Sequence, residues 1–553
     1  MRLSGNRERI PLLIAACFAL LLVGGVGIEP TVRGQLCPSI LIETSNEKYD
    51  LLRELATEYS TSHRRAPICN DPLVTVQRKP SGEAEALLEH GWNSNEPRPD
   101  VWAPAATTWL DLLRASRPDL VSDDLPPSIA RSPLVVAMPM PIAQALGWPA
   151  VQPTWTSLLQ LARDPGAYQR LERANVGPFR LGKTDPNAST SGLHSLLAEY
   201  YAAAGKSANL SVGDIDRSEN RRFVSEVEAS VAHYADTVDT CMQNLTDANL
   251  HGRPLSYVSA VAAEEQEVFA YNTGKYNDGV PPVTKLAALY PSDGTLVADH
   301  PFAVMNWATT GQRTVAGEFL KWLLMDDQQS RLLDAGFRND RGDAGTLLAA
   351  TPGILSAQPK VFERVQPQVV KEAIGSWRTL RKRARVLVLL GLTRPYDRHR
   401  VMDALTPFAD GDSVAVWSVT PGARDGYSAL LGMSPIEAGG MEQVRRAVEA
   451  EPIISGRAPL HPAILAAYQY MSTGLDPTRV NAVVVISGAG DNGAPPDDLT
   501  LLNSIQPNLV HVYTVALGND ASLESLLKKV SRASGGVYEQ SSSTAIQRAL
   551  ADF

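Results

Sequence analysis

Short, continuous apolar runs bounded by glycine, proline or polar turns recur along this chain and alternate with amphipathic stretches. The clearest begins at Arg385, where "RVLVLLG" carries five apolar residues, 386–390, and ends in Gly391. A run this short between turns reads as a strand buried on both faces. "DSVAVWSV", "RVNAVVVIS" and "NLVHVYTVAL" follow at helix-length intervals. Strands alternating with helices predict a parallel, doubly wound α/β sheet, with ligands beyond the carboxyl ends of its strands. The first third repeats the pattern in "SILIETSNEKYDLLRELATEYS", "PLVTVQRKPSGEAEALLEHG" and "RPDVWAPAATTWLDLL". These strands end in small or hydroxyl residues: Thr44 and Ser45, Ser81 and Gly82, and 105–108. In "RLGKTDPNASTSGLHSLLAEYYAAAG" a strand ends at Lys183 and a helix starts near Gly192, with Thr184, Ser189, Thr190 and Ser191 crowded at that start. A helix amino end offers unpaired N–H groups and a positive dipole end to a polar ligand. Ordinary helix capping by serine and threonine uses the same residues.

With 553 residues the chain exceeds a single core and has room for two to four domains. Its net charge of -9 argues against a general nucleic-acid binder. Arg2, Arg7 and Arg9 precede an uncharged run, 10–28, about long enough to span a bilayer. Basic residues on its amino side place 1–9 in the cytoplasm and everything after the 29–37 link outside, as a single-pass cell-membrane protein. A cleaved signal peptide, or a lipoprotein signal ending in Cys17, is the competing reading. Of four cysteines, Cys37 and Cys69 stand just before two successive strands that lie side by side in a βαβ unit, so a Cys37–Cys69 disulfide is expected in an oxidising location. Other pairings stay open on sequence alone. Cys241 is left over and reads as a buried helix residue.

Five pieces, "PDVWAPA", "KTDPNASTSGL", "VSAVAAEEQEVFAYN", "LAALYPSDGTLVADHPFAV" and "LLDAGFR", stand in an order that resembles a bacterial extracellular solute-binding protein of the type II periplasmic-binding-protein fold. The resemblance covers 38–351. It implies two α/β lobes around a cleft, lobe 1 from about 38–131 and 290–351 and lobe 2 from about 132–289, crossed by "SPLVVAMP" and "KLAALYPSDG". The ligand-facing positions it implies are Ser45, Ser81, Trp102, Pro104, Ser132, Ser189, Thr190, Ser191 and Glu264. Trp102 also reads as core packing, and the "AAEEQE" around Glu264 as a solvated charge run.

Residues 385–553 resemble a von Willebrand factor A domain. That family holds a metal ion with Asp-x-Ser-x-Ser after the first strand, a distant Thr and a later Asp, all hard oxygen ligands. Here those positions read Gly391, Thr393, Pro395, Ala458 and Gly488, so the adhesion site is degenerate and no metal is expected there. Asp397 and Asp491 lie near enough in sequence to be weighed as substitutes, and read more simply as turn carboxylates. Between the two regions, 352–384 is a connector containing an amphipathic helix. It ends in Arg381, Lys382 and Arg383, with Arg385 just beyond; cations suit a helix carboxyl end.

No nucleophile elbow, zinc-protease helix, P-loop or dinucleotide fingerprint is visible, and no cofactor is implied. The expectation is a membrane-anchored, non-enzymatic extracytoplasmic binding protein. It takes a small polar or anionic solute in its cleft and a protein partner on its carboxyl-terminal domain. A transport receptor serving a permease is the first alternative, and an envelope hydrolase with an unrecognised site the second.

Overall fold

The computed structural model describes residues 37–63, 72–92, 96–163, 179–235, 237–250, 252, 254–405, 408, 410–437, 440–506 and 509–540. The 10–28 run, its 1–9 flank, most of the 29–37 link, Cys17 and Cys69 lie outside these residues. Among those described, no helix is long and apolar enough to cross a membrane.

Sixteen strands are described in chain order. They are β1 (Ile40–Thr44), β2 (Val74–Arg78), β3 (Val101–Ala103), β4 (Ser132–Pro139), β5 (Leu181–Thr184), β6 (Val231–Ala235), β7 (Ala260–Glu264), β8 (Leu286–Leu289), β9 (Val297–Ala298), β10 (Ala303–Val304), β11 (Ala384–Gly391), β12 (Ser413–Val419), β13 (Tyr427–Pro435), β14 (Val480–Ser487), β15 (His511–Ala516) and β16 (Tyr538–Gln540). They form three sheets with orders β10-β3-β1-β2, β6-β5-β7-β4-β8 and β13-β12-β11-β14-β15-β16. In the first, β1 runs parallel to β2 and β3, while β10 returns antiparallel. In the second, β5 is parallel to β6 and β7, and β4 is antiparallel to β7 and β8. The chain leaves the first sheet before β4 and returns to it through β9, which pairs with β4 at Ser132 and Pro133. Two separate α/β layers are thus joined through β4 and β9, while "KLAALYPSDG" supplies β8 of the second sheet.

The third sheet is parallel except for β13, an antiparallel edge strand. All four apolar runs singled out in this region are strands, and every residue of β14 is buried. β13 was not foreseen. Only partly buried along its length, it lacks the apolar run that marks its neighbours.

The helices that carry the cleft are α1 (Asn46–Ser62), α2 (Ser81–Glu89), α3 (Thr107–Ser116), α4 (Thr190–Ala204), α5 (Val238–Leu250) and α6 (Glu265–Thr273). The connector helix is α7 (Pro367–Leu380), and α8 (Leu460–Thr473) packs on the third sheet. The connector is docked rather than loose. Trp377 is buried edge-on against Tyr234, with ring centroids 5.4 Å apart, and Tyr200 hydrogen-bonds Ser376. Its basic end does what cations do at a helix carboxyl terminus. Arg383 donates to the Arg378 and Thr379 carbonyls, and Arg381 pairs with the buried Asp412 before β12.

The charge run read as solvated is instead buried, from Glu264 through Glu267. Two of the three carboxylates find hydrogen-bond partners on other segments, while Glu264 keeps one oxygen unpaired. Arg338 clamps Glu265 with two 2.8 Å hydrogen bonds, Tyr290 donates to the same carboxylate, and Tyr276 donates to Glu267. Cys37 is disulfide-bonded, and Cys241 is a free thiol buried on α5.

One buried acid on β1 gives a pH test of the first sheet. Glu43 is fully buried and accepts one 2.7 Å hydrogen bond from Gln77 Nε2; its other oxygen has no partner. Burial pushes its carboxyl up to about 8 from an ordinary 4.5. A raised acid contributes stability that is complete below the unfolded value and lost as pH rises through the folded one. Glu43→Gln should therefore raise the melting temperature at pH 8.5 by roughly 2–4 °C and leave it unchanged at pH 4. Equal destabilisation at both pH values in thermal melts contradicts this.

Candidate ligand cleft

Helix amino ends from two different sheets meet at one cavity. The turn after β1 supplies Ser45 and Glu47, and the start of α2 supplies Ser81. From the second sheet, the β5 turn supplies Ser189, Thr190 and Ser191, the start of α5 supplies Asp239, and the end of β7 and first turn of α6 supply Glu264 and Glu267. Every one of these lies at the carboxyl end of a strand, where open α/β sheets place ligands. The cavity measures ≈ 40 Å³. One water occupies roughly 10–15 Å³ on this measure, so the space suits a few small atoms.

The two sides touch directly. Gly82 N–H donates to the Ala188 carbonyl at 2.9 Å, and a β-carbon on Gly82 would lie 1.9 Å from the Asn187 carbonyl oxygen. Trp109, at the foot of α3, donates from Nε1 to Thr190 Oγ1 at 2.8 Å. Ser81 Oγ accepts from Ala105 N–H at 3.1 Å, which leaves its proton to donate. Ser189 is the residue before α4, yet its side chain makes no capping bond. The helix begins at Thr190, two residues before the expected start.

Six of the nine expected positions thus share one cavity: Ser45, Ser81, Ser189, Thr190, Ser191 and Glu264. Trp102, Pro104 and Ser132 are brought elsewhere. Trp102 is 1% exposed within the core, on a strand paired on both sides. Pro104 is buried and turns its carbonyl to Lys48 Nζ at 3.3 Å. Ser132 Oγ accepts from Gln266 N–H at 3.1 Å and so serves the start of α6.

Sequence reasoning missed the acidity of the cleft. Beside the expected Glu264, the cavity is lined by Glu47, Asp239 and Glu267, each in the first turn of a helix. That placement was the available signal. His300, between β9 and β10, offered none. It is fully buried, and its backbone is left-handed at φ 39°. Its Nδ1 lies 3.4 Å from Glu47 Oε1 and its Nε2 lies 3.4 Å from Glu264 Oε2. Neither nitrogen makes a hydrogen bond, nor does Glu264 Oε2. Burial drives the imidazole down to about 3, with Lys48 adding to the effect, so the ring is neutral. Burial and then the Glu47 charge push the Glu264 carboxyl well above the usual range. Burial also raises Glu267, to about 8, against the pull of Lys275. Burial alone would raise Glu47, but Lys48, His300 and Ser45 hold it down at about 2. Donor atoms of Glu47, Glu264 and His300 lie within 4.8 Å of one another, close enough to share a metal ion.

At the other end of the molecule, Gly391, Thr393 and Gly488 meet beyond β11 and β14. A β-carbon on Gly488 would sit 2.5 Å from Thr393 Oγ1, and one on Gly391 would sit 2.7 Å from Ser487 Oγ. Pro395 opens the helix Pro395–Ala404, and Ala458 is buried in a bridge to Asp491. Asp397 is clamped by Arg394 at 2.9 and 3.0 Å. Asp491 accepts from the Leu460 and His461 N–H groups at the start of α8 and faces His461 Nδ1 at 2.9 Å. Both carboxylates that had been weighed as substitute ligands are already engaged.

Comparison with known proteins places this geometry in context. The profile of a family described as bacterial extracellular solute-binding protein matches residues 40–338. Two uncharacterized proteins of Mycobacterium tuberculosis, from strains CDC 1551 / Oshkosh and ATCC 25618 / H37Rv, are 24% identical over 302 residues. The match covers 52% of this chain but 40% of theirs, so the chain spans well under half the length of these relatives. Among solved structures, a periplasmic thiamin binding protein is 13% identical at a TM-score of 0.43, covering 62% of this chain and 96% of that one. Iron-bound HitA from Pseudomonas aeruginosa is 15% identical at 0.40, covering 62% and 99%. Maltose-bound MalE3 of T. maritima is 11% identical at 0.39, covering 62% and 99%. Likenesses at these TM-scores add no weight to the family match.

The Gly82 contact generates a test of the cleft as drawn. Gly82→Ala should hold the two sides apart, enlarge the radius of gyration in solution scattering and leave the far-ultraviolet circular dichroism unchanged. A scattering profile identical to wild type contradicts direct contact at this point.

Proposed function

The chain belongs to the bacterial extracellular solute-binding protein family. From that premise we propose that it is a non-enzymatic extracytoplasmic receptor that closes two lobes over a small polar solute. The observation that carries this reading is the single cavity fed by helix amino ends from two separate sheets. Ser45, Ser81, Ser189, Thr190 and Ser191 would offer hydroxyls to the solute, and Glu264 and Glu267 carboxyl groups. Glu47 is held ionised while burial keeps Glu264 and Glu267 protonated, so the described lining residues offer acceptors and acid protons with no free cation among them; this disfavours the anionic solute that the sequence had left open and favours a neutral or cationic one.

The same reading divides the chain into lobe 1 (about 38–131 and 290–351), lobe 2 (about 132–289), a connector (352–384) and an interaction domain (385–553). The third sheet's order, with its antiparallel edge strand, supports a von Willebrand factor A-like interaction domain for that last segment. A protein partner would engage it without a metal ion, because Gly391, Pro395, Ala458 and Gly488 bring no side-chain oxygen. The 10–28 run would anchor the whole to the membrane with the lobes outside. A receptor that hands its solute to a permease uses the same cleft; the extra domain is what sets the anchored binding protein ahead of it.

A thermal-shift screen of the full chain against polyols, amino acids, amines and oxyanions tests the cleft. Each hydrogen bond lost to a buried ligand costs about 1 kcal/mol, so changing Ser189, Thr190 and Ser191 together to Ala should weaken a hit well over tenfold. Unchanged affinity in that triple variant contradicts the assignment.

A further inference from the structure

We propose that the cleft binds a divalent transition-metal ion, of the zinc class, through Glu47, Glu264 and His300. This rests on the solute-binding reading of the same cleft and names the chemistry of what it takes. Two unpaired buried groups that face each other, and the backbone that carries one of them, point to a ligand here. His300 is fully buried with both ring nitrogens unpartnered, and a buried polar group left unpaired is costly, by about 1–3 kcal/mol. Its backbone is held at φ 39°, a conformation that side chains rarely adopt and that concentrates at functional sites. Glu264 Oε2 is likewise buried without a partner, on the same cavity wall.

The geometry fits a small ion. Two donors of a tetrahedral ion, each about 2.1 Å from it, sit about 3.4 Å apart. His300 Nε2 and Glu264 Oε2 are 3.4 Å apart; Glu47 Oε1 lies against the ring's other nitrogen, Nδ1, and, from within 4.8 Å of the other donors, would turn in to reach an ion held at Nε2. The cavity of ≈ 40 Å³ then leaves room for one or two waters to complete the coordination. Two carboxylates with one neutral imidazole suit zinc, iron or manganese rather than calcium, which prefers six to eight oxygens. Lys48 Nζ, 3.3 Å from Glu47 Oε1, is the competing cation, and an incoming ion takes its place on that carboxylate. Because Glu47 opens a lobe 1 helix, Glu264 ends a lobe 2 strand and His300 stands where the chain returns between them, one ion would fasten both lobes.

The test uses the full chain stripped with a chelator. Calorimetric titration with zinc chloride should show one ion per chain at about micromolar affinity or tighter. Cobalt(II) should give the intense visible bands of a four-coordinate site. Glu264→Gln, which keeps the side chain's shape, and His300→Ala should each weaken zinc binding at least tenfold. Thr393→Ala, at the degenerate adhesion site, should leave it unchanged. A folded wild-type chain that takes up no zinc, or zinc binding that survives Glu264→Gln, overturns the proposal even if His300→Ala fails to fold. The solute screen repeated in chelator decides the parent reading separately. Solute binding without zinc binding refutes the metal site alone.

Discussion

One imidazole stands between the two lobes. His300 leaves the short return strand, tilts its backbone into a left-handed conformation and sets a neutral ring between Glu47 of one side and Glu264 of the other. Among the described residues none hydrogen-bonds its nitrogens, and the charges around it are balanced by other groups of the cleft. Lys48 balances Glu47, burial keeps Glu264 protonated, and Gly82 lets the two sides come within backbone hydrogen-bond distance.

The carboxyl-terminal sheet follows a different logic. Its strands β11 and β14 bury every apolar side chain they carry, and that burial sustains the layer without help from an ion. At the carboxyl ends of these strands, Gly488 lies where a larger side chain would strike Thr393, and Asp491 is spent on the start of α8.

Much of this was legible in the sequence, for physical reasons. Strands β11, β12, β14 and β15 are continuous apolar runs because both their faces are covered, and the hydroxyl-rich turns at Ser45, Ser81 and Ser189 mark helix starts that converge. What escaped notice depends on distant partners. The carboxylates at 264–267 look solvated in a one-dimensional reading, but Glu265 is buried against Arg338, 73 residues away, and Glu267 against Tyr276. Trp102 looked like a ligand platform and is core, because its strand is paired on both sides. His300 has no local pattern at all; only the return of the chain brings it between two carboxylates.

The most direct measurement is a crystal structure of the full chain grown without chelator, with diffraction collected at the zinc edge. The expected result is density for a bound group in the cavity between Ser45, Ser191 and Glu264, with an anomalous peak at coordination distance from Glu264 and His300. Two closed lobes with only side chains in the cavity, and a bound group instead beside Thr393 at the end of the third sheet, would contradict the reading of the cleft as the ligand site.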